Sequence, residues 1–82
     1  MKEYLYAVQD ETGREVVSIK FTTDKVSQVF ASRKKDTVSL CHVEDGTMAV
    51  GKYAGEGPLT LCRWDADDKL ADPVSHPVAV LP

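Results

Sequence analysis

The sequence predicts an α+β domain: a small antiparallel β-sheet of about five strands, in the order ββαβββ, with one helix packed on one face. Three observations lead there. Short alternating or β-branched runs recur between polar turns. Tight-turn signals, above all Asp45-Gly46, join consecutive runs and imply antiparallel neighbours. One stretch carries its apolar residues, Val26, Val29 and Phe30, at helical spacing. Read as a strand instead, that stretch makes the domain a small all-β barrel.

The first strand is Tyr4 to Val8, rich in aromatic and aliphatic residues. A polar turn over residues 9–14 follows, with Gly13 suited to a positive φ. Glu15 to Phe21 alternates, placing Val17, Ile19 and Phe21 on one face and Ser18 and Lys20 on the other. The two runs form a hairpin. Thr22-Thr23-Asp24 then offers an N-cap, and Arg33-Lys34-Lys35 places cations where a helix dipole is negative. The helix is therefore expected over Asp24 to Lys34.

Thr37 to Glu44 reads as a strand, Asp45-Gly46 as its turn, and Met48 to Tyr53 as the return strand. Gly51 inside that strand signals a bulge or a close backbone approach. A Gly- and Pro-containing loop over residues 54–58 precedes the last long strand, Leu59 to Asp65. Residues 38–44 and 59–65 match in kind position by position: apolar, hydroxyl, Leu, Cys, cation-capable, apolar, acid. The expected sheet sets Met48 to Tyr53 between these copies, with Cys41 and Cys62 roughly 9–10 Å apart, too far for a disulfide. The segment 72–82 carries three prolines and is expected to dock as an extended tail or edge strand.

The chain has 82 residues, 43% hydrophobic and 28% charged, which suits one globular domain over 1–82. Its net charge of -3 and pI near 5.2 run against a nucleic-acid module, which needs a positive excess against phosphates. Two cysteines do not make a disulfide framework. With no leading hydrophobic run, neither a signal peptide nor a membrane span is expected, and the chain reads as cytoplasmic with reduced thiols.

Chemistry-bearing motifs are sparse. Cys41 and His42 are adjacent on a strand, so they face opposite ways and cannot act as a nucleophile–base pair. No ligand spacing for zinc occurs. Asp65, Asp67, Asp68 and Asp72 begin like a calcium loop, but Leu70 and His76 occupy the positions that need glycine and glutamate. No metal, cofactor or catalytic residue is therefore assigned. Glycines 51, 55 and 57 form no phosphate-binding fingerprint.

What remains points to a small non-enzymatic binding protein, acting through a protein partner or through self-association. The candidate contact residues are Tyr4 and Tyr6 on one strand face, Trp64, the acidic Asp65, Asp67 and Asp68, and the basic Arg33, Lys34 and Lys35. Tyr4 and Tyr6 form an exposed aromatic patch if Leu5 and Ala7 face the core. The alternatives are a nucleic-acid module using the basic cluster, and a metal or small-molecule domain using the acidic loop.

Overall fold

The computed structural model describes residues 2–65 and the backbone of residues 77–80. Its strands are β1 (Tyr4–Gln9), β2 (Glu15–Phe21), β3 (Val29–Lys34), β4 (Thr37–His42), β5 (Met48–Lys52), β6 (Thr60–Asp65) and β7 (Pro77–Val80). They form two antiparallel sheets, of order β2-β1-β6-β7 and β3-β4-β5.

The expected α+β arrangement is wrong. Among the described residues there is no α-helix, and none packs on a sheet. Val26–Gln28 is a single 3-10 turn, and strand β3 begins at Val29. The fold is all β, as two stacked sheets. The apolar stripe that suggested a helix is split by the pleat: Val29 is buried and Phe30 is 70% exposed.

The sheet order also corrects the expected neighbours. β5 does not lie between the two similar strands. β4 and β5 pair in one sheet, whereas β6 pairs with β1 in the other. The segment between β5 and β6 is the crossing point, so Cys41 and Cys62 lie in different sheets.

The core lies between the layers. Tyr6, Val8, Val17, Phe21 and Leu61 come from the first sheet, and Val29, Val38 and Leu40 from the second. Fully burying side chains of this size contributes about 1.5–3 kcal/mol each. Leu5, Ala7, Cys62 and Trp64 form a smaller cluster on the opposite face of the first sheet.

The turns have local causes. Asp10 Oδ1 accepts hydrogen bonds from Thr12 N at 2.9 Å, Thr12 Oγ1 at 2.6 Å and Arg14 N at 3.0 Å, which closes the β1–β2 turn around Gly13 at φ 86°. Asp45 Oδ1 accepts from Thr47 N at 2.8 Å beside Gly46 at φ 75°. Among the described residues no helix is long and apolar enough to cross a membrane.

Candidate functional site

The second sheet has one face on the core and one in solvent. Register sets three rows across its outer face. Phe30, Cys41 and Met48 make the first row, Ser32, Ser39 and Val50 the second, and Lys34, Thr37 and Lys52 the third. Phe30 is 70% exposed, Val50 59% and Met48 54%. Val43, just past the end of β4, is exposed as well. The face is thus apolar at one end, mixed in the middle, where two hydroxyls lie beside Val50, and cationic at the other end. Ser32 Oγ and Ser39 Oγ lie 2.7 Å apart and hold the middle row together.

This register is strongly specified. Val29 and Leu40 are buried on the inner face and Ala31 is packed against the core. A slip of one residue would bury Phe30 and expose Val29. The β3–β4 turn fixes the phase with two residues, Lys35 and Asp36, and Lys35 adopts φ 49°. Thr37 Oγ1 donates to the Lys34 carbonyl at 3.0 Å across that turn.

The nominated contact residues are scattered by the fold. Tyr6 is fully buried, and its hydroxyl donates to the Thr23 carbonyl at 2.8 Å. Burial pushes this hydroxyl above the ordinary tyrosine value, with the Arg63 guanidinium pulling the other way. Tyr4 is half-buried and packs against the main core, so no exposed tyrosine pair forms. Trp64 is 2% exposed, in the smaller cluster. Asp65 pairs with Lys2 at 2.5 Å. Asp67 and Asp68 lie outside the described residues.

The basic cluster divides. Arg33 turns to the inner side, where Nη1 donates to the Gly57 carbonyl at 2.8 Å and Nη2 to the Gly55 carbonyl at 2.5 Å. Its guanidinium carbon stands 5.3 Å from the Tyr53 ring centroid. It is a loop clamp. Lys34 and Lys35 are exposed and make no ion pair among the described residues.

A shallow cleft of about 270 Å³ is lined by Asp10, Arg14, Glu15, Val16, Lys52, Tyr53 and Ala54. It carries charges of both signs with no convergent set. His42 is buried on the inner face of β4, with its ring 5.4 Å from that of Phe21. Its Nδ1 lies 3.1 Å from Asp45 Oδ2, and neither ring nitrogen makes a hydrogen bond among the described residues. Among the described residues, no group of three or more His, Cys, Asp and Glu side chains could hold a metal ion.

The outer-face patch carries one signal in the sequence, an apolar residue on the solvent side of β3. Phe30 interrupts the polar–apolar alternation of β3 and, with Val26 and Val29, also fits a helical period. Comparison with protein-family models, with curated proteins and with solved structures finds no match.

Proposed function

We propose that the chain is a small non-enzymatic binding protein that acts through a protein partner or a second copy of itself, seated on the outer face of the β3-β4-β5 sheet. One observation carries this: Phe30, Met48 and Val50 are all more than half exposed on one face of a sheet whose register is otherwise dictated by burial. Contiguous apolar surface of that kind marks interaction sites. Covering a large apolar side chain is worth about 1.5–3 kcal/mol, which offsets part of the cost of association. The nucleic-acid alternative is weakened because Arg33 is engaged with the Gly55 and Gly57 carbonyls. We read the protein as cytoplasmic, with Cys41 and Cys62 as reduced thiols not joined in a disulfide.

The test compares the native chain with a Phe30→Ser, Val50→Ser variant of unchanged circular dichroism. Solution mass and capture from native lysate are measured for both. A partner or dimer present with the native chain and lost with the variant supports the reading. A partner or dimer kept equally by both, or no association in either, overturns it.

A further inference from the structure

Resting on the reading of the outer face as a docking surface, we infer that its occupant is an extended acidic segment of another protein, paired alongside β3. An apolar residue of the segment sits at the level of Phe30, and a carboxylate at the level of Lys34 and Lys35.

Charge complementarity is the first argument. The chain holds 13 acidic and 10 basic residues, yet the nine outward positions of this sheet include no acid. Their only charges are the lysines of the third row, with Lys35 and Asp36 beside them in the turn, so the end of the face keeps a positive excess. Lys52 also reaches a cleft lined by Asp10 and Glu15, whereas Lys34 and Lys35 make no ion pair among the described residues, with Asp36 the one acid of their turn. An acidic protein thus presents a locally cationic, half-apolar face. A second copy fits it poorly, because full overlap would set lysines on lysines or on the apolar row.

The edge of the sheet is the second argument. Among the described strands β3 is hydrogen-bonded only to β4. The Val43 amide donates to the Gln28 carbonyl at 2.9 Å. Antiparallel alternation then turns the main-chain groups of Phe30, Ser32 and Lys34 toward β4, and those of Val29, Ala31 and Arg33 toward the edge. A strand added there repeats the pleat, so its outward side chains extend the three rows. Phe30 and Lys34 are four residues apart, roughly 13 Å along the strand. The segment's apolar and acidic anchors should therefore be four residues apart.

The probe is a displayed library of random dodecapeptides. It is selected in parallel on the native chain, on Phe30→Glu, and on Lys34→Glu with Lys35→Gly; the glycine suits the positive φ of the turn. Folding of each is checked by thermal unfolding, with Lys34→Glu alone held ready if the double variant unfolds. The expected result is enrichment of peptides with Asp or Glu four positions from an apolar residue. They should lose at least about tenfold in affinity on the lysine variant and weaken with salt. Peptides that need Phe30 but show no acidic bias overturn this inference and leave the docking surface standing. No enrichment, or equal binding to Phe30→Glu, overturns the docking surface itself. Phosphatidylserine vesicles and a single-stranded oligothymidylate are run alongside. Lysine-dependent binding to either, without acidic peptides, also overturns the protein-segment inference.

Discussion

A Cβ placed on Gly51 would lie 2.3 Å from the carbonyl oxygen of Val16. The backbone of β5 therefore rests directly on that of β2, at the point where the two sheets close on each other. No side chain fits there unless a sheet moves. The approach is the reason for a glycine in mid-strand, a place where glycine otherwise weakens pairing.

Gly51→Ala should therefore destabilise the fold by about 1–3 kcal/mol, the usual cost of overpacking. Urea denaturation measures it as a lower midpoint at an unchanged slope. An alanine variant as stable as the native chain would mean that the sheets are not in contact at this point.

Arg33→Ala should free the loop over residues 54–58. Hydrogen bonds from a charged donor contribute about 1.5–3 kcal/mol, and partial exposure places this clamp at the lower end. Arg33→Lys should not restore it, since one ammonium cannot reproduce the fork on the Gly55 and Gly57 carbonyls. Amide exchange at Gly55 and Gly57 is the readout, and full rescue by lysine would contradict the geometry.

Tyr6→Phe removes only the hydroxyl that reaches the Thr23 carbonyl. The expected loss is about 1 kcal/mol. Because the folded protein holds Tyr6 un-ionised above its ordinary value, its contribution is complete at neutral pH and falls as pH rises past about 10. Tyr6→Phe should accordingly be less sensitive to alkali than the native protein. Identical alkaline unfolding curves for the two would count against it.

Acid should act at the turns. The Thr12 hydroxyl, followed by the Arg14 and Thr12 amides, holds the Asp10 carboxyl below the ordinary aspartate value. The Thr47 amide does the same for Asp45. Both contributions are present at neutral pH and are lost as pH falls below about 4 through the depressed values. Carbon-detected NMR titration should place both midpoints below that of a model aspartate, and Asp10→Asn should reduce the acid sensitivity of the β1–β2 turn.

The thiols should differ. Cys41 lies partly exposed on the outer face and Cys62 is buried. A thiol reagent should label Cys41 in the folded protein and Cys62 only after denaturation. Ligand-dependent protection of Cys41 would then report directly on occupancy of the face between Phe30 and Met48.

The hairpins were readable where turn chemistry and alternation agree. Asp45-Gly46 sits between β4 and β5, whose burial alternates with the pleat, and the polar turn around Gly13 leads into β2, whose Val17, Ile19 and Phe21 all pack in the main core. Residues 26–34 were not readable, because Val26, Val29 and Phe30 satisfy a helical period equally well. An apolar residue on a solvated face defeats pattern reading, and that same Phe30 is the centre of the candidate site. Local rule-breaking and the proposed docking face coincide here.

By itself, then, the sequence determined that antiparallel strands dominate and where the β1–β2 and β4–β5 hairpins turn, and it marked Gly51 as a bulge or a close backbone approach; the helix it suggested over residues 24–34 is a 3-10 turn and a strand instead. Tertiary structure alone decided that β6 joins β1 rather than β5, that Tyr6 and Trp64 are buried, and that Arg33 binds a loop. The physical reason is range. Turn geometry and side-chain alternation act over a few residues. The pairing of β1 with β6 joins segments more than fifty residues apart, and depends on which faces exclude the most water when the two sheets close.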